Sequence, residues 1–200
     1  MSRSFAIALL ILIWAAAPSA AQPVFAPDDH CVAYWTSKRV MLVRTVGVIG
    51  TNCAVTARVR WRGDGSAAVE VVVPADGFDS GNGRRDRDVA RILDAARHPE
   101  IRFGAGPLRA SQVQRLEAGQ HVLIPGYLEV AGGRHAVEFA VRIDGRVVTG
   151  EARTTFAALG LEVDRVGPGG MVADPDQDVA LMLHLRLDRL AGADRVTRPP

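Results

Sequence analysis

Five histidines, two cysteines and one dense run of arginines and aspartates are the residues of this 200-residue chain whose types could do chemistry. A hydrolase needs a nucleophile, a base and an orienting acid brought together. The spacing offers no such group locally: His30 stands at a strand start, His98 at a helix end, His121 and His135 at strand ends, and His184 on the outer side of the last strand. The chain has no Gly-x-Ser-x-Gly, phosphate loop, His-Glu-x-x-His or Cys-x-x-Cys, so a catalytic set would have to assemble from distant positions. Cys31 and Cys53 lie in neighbouring strand-like segments and favour one disulfide in an exported chain; two buried free thiols or a metal pair are the alternatives, although no zinc-type His-Cys spacing accompanies them. In the run Arg84, Arg85, Arg87 and Arg91, the aspartates Asp86, Asp88 and Asp94 are interleaved. That pattern reads as a solvated helix face rather than a phosphate-binding patch.

The first residues set the compartment. Arg3 precedes an unbroken apolar run over 5–17, followed by the small residues Ser19, Ala20 and Ala21. This is the pattern of a secretory leader, with cleavage expected after Ala21. A run of about 13 residues is short of the roughly 20 that a spanning helix needs. We therefore expect a leader at 1–21, one domain at 22–190, a disordered tail at 191–200, a periplasmic location and no stable membrane insertion. Losing Arg3 turns 24 basic residues into 23, against 22 acidic ones, and that balance argues against a nucleic-acid partner.

From Cys31 onward the apolar period is near two, broken by Gly, Pro, Asn and Asp, as in an antiparallel sheet with one buried face. Strands are expected at 31–37, 40–49, 53–62, 67–74, 100–108, 121–130, 135–143, 147–156 and 179–190, with a long Gly- and Pro-containing loop at 167–178. One segment departs from the period: Val89, Ile92, Leu93 and Ala96 share one helical face, which predicts a helix from about Arg84 to before His98 and Pro99. Alternation directs Val69, Val71 and Val73 inward, together with Ile124 and Leu128, with Val137, Phe139 and Val141, and with Leu181 and Leu183. Phe103 shares a face with Ile101, while Phe78, Phe156 and the helix residue Ile92 lie close by in the expected order. These fourteen residues, Ile101 aside, are the candidate ligand-lining set. The alternative for each is ordinary packed core.

Asp79-Ser80-Gly81-Asn82-Gly83-Arg84-Arg85-Asp86, followed after the helix by His98-Pro99-Glu100-Ile101-Arg102-Phe103, resembles the central signature of the YceI family. Gly126-Tyr127-Leu128-Glu129-Val130 and Thr154-Thr155-Phe156 with Leu159-Gly160-Leu161 resemble its later segments, although Ala157 and Ala158 stand where the family usually carries Asp and Arg. The resemblance implies an all-β, lipocalin-like, eight-stranded antiparallel barrel with one packed helix, whose long tunnel takes a polyisoprenoid-type lipid and which needs no cofactor. Ser80, Gly81, Arg85 and Asp86 read as structural: turn, helix entry, and a pair pinning the helix to the barrel rim. The leading expectation is a binding protein for a polyisoprenoid or quinone-like chain, not an enzyme. A barrel filled by its own side chains, serving structure or interaction, comes second, and an enzyme acting on a bound lipid third. An exposed apolar mouth would favour a homodimer in which two tunnels meet.

Overall fold

The computed structural model describes residues 24–41, 44–163 and 173–194. The expected leader, the first half of the expected 167–178 loop and the last six residues of the expected tail lie outside the described residues.

Nine strands form a single antiparallel sheet: β1 (Cys31–Val40), β2 (Arg44–Asn52), β3 (Thr56–Trp61), β4 (Ala67–Pro74), β5 (Glu100–Leu108), β6 (Val122–Val130), β7 (Gly133–Asp144), β8 (Val147–Thr155) and β9 (Ala173–Arg186). Their order is β2-β1-β9-β8-β7-β6-β5-β4-β3. Sequence neighbours pair throughout except β2 and β3, which stand at the two ends of the sheet, and β9 returns to lie beside β1. The eight-stranded closed barrel expected from the resemblance is thus a curled, nine-stranded half-barrel. β2 pairs with β1 alone and β3 with β4 alone, so that β2 and β3 are the two edges.

Those edges are stitched by single bridges. Thr51 and Asp79 exchange two backbone hydrogen bonds of 2.8 Å, and Ala191 accepts from the Val59 N–H at 2.8 Å while donating to the Ala57 carbonyl at 3.0 Å. Ala191 and its neighbours are therefore ordered against β3, and the tail expected from residue 191 does not begin there. Strand limits also move: β2 runs over 44–52 instead of 40–49, β3 over 56–61 instead of 53–62, and β9 ends at Arg186 instead of Leu190. β1 continues through Lys38 and Arg39 to Val40, and β9 starts at Ala173, because Lys38, Arg39 and Val40 pair with Pro175, Asp174 and Ala173.

Helix α1 (Gly83–Ile92) begins where its cap dictates: the Asn82 Oδ1 accepts from the Arg84 and Arg85 N–H groups at 3.1 and 3.2 Å. A second helix, α2 (Ala110–Glu117), was not expected. Its only apolar pair is Val113 and Leu116, too short a period to read, yet both are buried against the barrel. The Gln112 side chain accepts the Arg109 N–H at 3.0 Å and closes its first turn.

Cys31 and Cys53 are disulfide-bonded, with Cα atoms 4.0 Å apart, tying the start of β1 to the residue after β2. The bridge closes a loop with a sequence separation of 22, for which chain entropy gives about 3 kcal/mol. The C31S/C53S double variant should lose about that much in a urea titration. Beside the bridge, His30 is buried and its Nδ1 accepts the Arg186 N–H at 3.0 Å. Burial, and then the nearby Arg189 cation, hold its pKa below the ordinary 6.5. The unfolded chain takes up this proton more readily than the folded one. The stability that neutral His30 supports is therefore full above about 6.5 and declines as pH falls below it. H30N should flatten that decline in urea midpoints measured from pH 7 to 5.

Candidate functional site: an apolar cavity in a half-filled barrel

The inward faces of the strands do not meet the same fate along the barrel. At the α2 end, Leu108, Val113, Leu116, Val122, Leu185 and Leu187 pack into a closed core. At the α1 end a cavity of about 360 Å³ remains, within the usual range for small-ligand sites. Phe103 and Phe139 stand edge to face at the boundary, with ring centroids 5.0 Å apart, and both line the cavity. They form its floor. The Phe103 ring lies over Gly126, where a Cβ would come within 2.6 Å of it, so that glycine makes room for the floor.

The walls are aliphatic and aromatic: Val71 and Val73 of β4, Ile101 of β5, Leu128 and Val130 of β6, and Leu181 and Leu183 of β9, with Phe78, Phe156 and Ile92 around the upper part. Among the described residues, charged lining groups come only from Lys38 on β1 and from Arg85, Asp88 and Arg91 on α1. They mark the mouth. Thr36 and Ser37 of β1 and Pro175 of β9 complete that rim. The expected long tunnel is thus a cavity at the α1 end, with the core that α2 completes packed at the other.

Helix α1 is held over the mouth by one polar cluster. The Asp86 Oδ1 accepts from the Ser80 N–H at 3.0 Å and from the Ser80 hydroxyl at 2.5 Å, while the Arg85 Nε donates to the Ser80 Oγ at 2.8 Å. Gly81 takes φ +71° and donates its N–H to the Asp79 Oδ1 at 2.8 Å. Ser80 therefore joins Arg85 and Asp86 at the helix entry, while Gly81 turns the chain just before it and is held by Asp79. Arg85 also reaches the cavity lining.

Ten of the fourteen candidate residues border the cavity: Val71, Val73, Phe78, Ile92, Phe103, Leu128, Phe139, Phe156, Leu181 and Leu183. Four do not. Ile124, Val137 and Val141 lie in the packed core and Val69 packs against it. Alternation assigns a face but not a height along the barrel, and these four sit behind or below the phenylalanine floor. The lining also contains residues that sequence reasoning missed: Val32, Tyr34, Val48, Leu159, Leu161 and Val179. The β1 members share a period-two face that could have been read. Leu159 lies in a single 3-10 turn and Leu161 just beyond it, where no period exists.

Tyr34 packs its ring edge toward Phe78 at 5.5 Å, and its buried hydroxyl has no hydrogen-bond partner. Burial raises its pKa and outweighs the opposing Arg85 cation, so the phenol stays protonated. No histidine is among the residues bordering the cavity. Among the described residues, no group of three or more His, Cys, Asp or Glu could hold a metal ion, and no helix is long and apolar enough to cross a membrane.

Curled sheet, apolar cavity and overlying helix define a lipocalin-like half-barrel with an apolar interior cavity. A family model described as the YceI-like domain matches residues 18–186, and the chain belongs to that family. Two solved structures share the fold at low identity. The crystal structure of Burkholderia cenocepacia BcnA has TM-score 0.54 and 16% identity, over 77% of this chain and 94% of that one. A polyisoprenoid binding domain from Saccharophagus degradans, implicated in plant cell wall breakdown, has TM-score 0.55 and 13% identity, over 77% and 91%. A search of curated proteins gives no match.

Removing the Asp86 carboxylate deprives the Ser80 hydroxyl and N–H of their shared acceptor. Asp86→Ala should cost about 1–3 kcal/mol in a denaturant titration, and hydrogen exchange should accelerate first in α1.

Proposed function

We propose that this protein is an exported, periplasmic carrier that holds one long apolar chain, of polyisoprenoid or quinone-like type, in the cavity at the α1 end. The observation that carries the reading is the division of the lining: aliphatic and aromatic walls throughout, with charges confined to the mouth. Such a site offers a ligand little beyond apolar area removed from water, at about 25 cal/mol per Å². Membership of the YceI-like family supports it, as does the likeness in fold to a domain described as polyisoprenoid binding. The leader expected at 1–21 and the Cys31–Cys53 bridge accord with export to an oxidising compartment. Helix α2 completes the core that makes the site a pocket for one chain end.

Affinity should rise with the length of a prenyl alcohol until the cavity is full and then level off, with little dependence on salt. Leu181→Trp, which puts an indole into the void, should weaken binding at least tenfold while leaving the circular dichroism unchanged. Fluorescent prenyl probes titrated into detergent-free protein measure both effects. Equal binding at every length, or none, would sink the carrier reading in favour of a structural or interaction role.

A further inference from the structure

The β1–β2 hairpin ends in a turn of unusual chemistry. Val40 pairs with Arg44, yet the stretch between Arg39 and Arg44 contains no Gly, Pro, Asn, Asp or Ser, the residues that tight turns favour. Met41 instead takes φ +49°, a conformation that a side chain rarely adopts, and is 73% exposed. Folding alone gives no reason to place a methionine there. An exposed, flexible apolar side chain at a loop tip is the kind of group that enters an apolar phase.

Its position relative to the cavity is defined. Lys38 lines the mouth, and Met41 lies three residues farther on, in the turn just past the end of β1, at most about 10 Å away at roughly 3.3 Å per residue. That reach matches the 5–10 Å or so to which interfacial elements bury their apolar groups. With Met41 at the acyl boundary, the mouth would stand at headgroup level. On its outer side, β2 is bridged only at Thr51 among the described residues, so its first residues have no neighbouring strand there.

The charges around the tip favour one kind of surface. Lys38, Arg39 and Arg44 flank it, with Lys38 facing Pro175, Arg44 facing Val40 and Arg39 facing Asp174. The other carboxylates of the mouth lie behind the tip: Asp176 accepts the Ser37 hydroxyl at 2.9 Å, and Asp88 pairs with Arg91 at 3.2 Å. Cations near the surface attract anionic lipid headgroups.

We propose that Met41, with Lys38, Arg39 and Arg44 around it, is a membrane-docking tip that seats the cavity mouth on an anionic phospholipid bilayer, so that an apolar chain passes between bilayer and cavity without crossing water. The proposal rests on the carrier reading. The test is co-sedimentation of the mature protein with sucrose-loaded vesicles of phosphatidylcholine alone or mixed with phosphatidylglycerol, alongside transfer of a fluorescent prenyl lipid out of those vesicles. The wild type should bind the mixed vesicles, while M41D and R44E should lose at least tenfold in binding and transfer rate. Both variants should keep the wild-type urea midpoint and bind the probe in solution as the wild type does. Unchanged vesicle binding by M41D overturns the docking proposal and leaves the carrier reading intact, as does a wild-type dimer in solution that M41D converts to monomer, which would assign the tip to a second copy. Failure of the wild type to bind the probe in solution overturns the carrier reading, and the lipid-transfer role with it.

Discussion

The seam where the curled sheet meets itself is the constraint on which the rest of this molecule depends. A closed barrel satisfies its edges with a continuous ladder, but here each edge is held by one short stitch, β2 to Asp79 and β3 to Ala191. Asn52 is central to them. It is 1% exposed, donates its Nδ2 to the Pro74 carbonyl at 2.8 Å and accepts the Ala54 N–H at 3.0 Å. A buried amide with both ends engaged fixes the end of β2 against the end of β4, since leaving either partner unmade would cost the full desolvation of that group. One residue away, Thr51 and Asp79 exchange two backbone hydrogen bonds. Asp79 then holds the Gly81 turn, and that turn leads into the Ser80, Arg85 and Asp86 cluster at the start of α1. The seam thereby positions the helix that forms one side of the mouth.

The second constraint is the uneven filling of the interior. Small residues bring the walls together at the α2 end, where Ala57, Ala67 and Ala105 are buried with the two apolar residues of α2. Larger side chains at the α1 end surround space instead of closing it. The Phe103–Phe139 contact separates the two regimes, and Gly126 permits it by lacking a side chain. Tyr34 uses the same device on the other side of the barrel: its ring lies across its cross-strand partner Gly50, where a Cβ would collide with it. Each glycine positions an aromatic ring that borders the cavity.

Much of this was legible in the sequence, and the remainder has identifiable causes. Period-two alternation on β4, β6, β7 and β9 gave the inward faces, and the Asn82 cap and the Ser80–Asp86 segment gave the start of α1, because both signals are local. The axial position of Val69, Ile124, Val137 and Val141 was not legible, since it depends on strand tilt and on α2, a helix of eight residues with a single apolar pair. The strand character of the first residues of β9 was hidden by Asp174, Pro175, Asp176 and Asp178, which read as loop until they pair with β1. The seam itself depends on contacts between residues far apart in the chain, such as Val59 with Ala191, for which one sequence carries no signal.

An energetic argument links the void to the mouth. A sealed, dry void of about 360 Å³, at about 24 cal/mol per Å³, would cost about 9 kcal/mol. That is comparable with the whole stability of an ordinary domain, about 5–15 kcal/mol. A bridge worth about 3 kcal/mol would not offset it. The fold is tenable because the void is not sealed: at the α1 end its wall is a helix clasped by polar contacts rather than buried in the core, since α1 has no fully buried residue. Opening that end to solvent or to a ligand removes most of the penalty. The weak apolar attachment of α1 and the emptiness beneath it are thus two aspects of one arrangement, in which the core is left unfinished where an incoming chain can complete it.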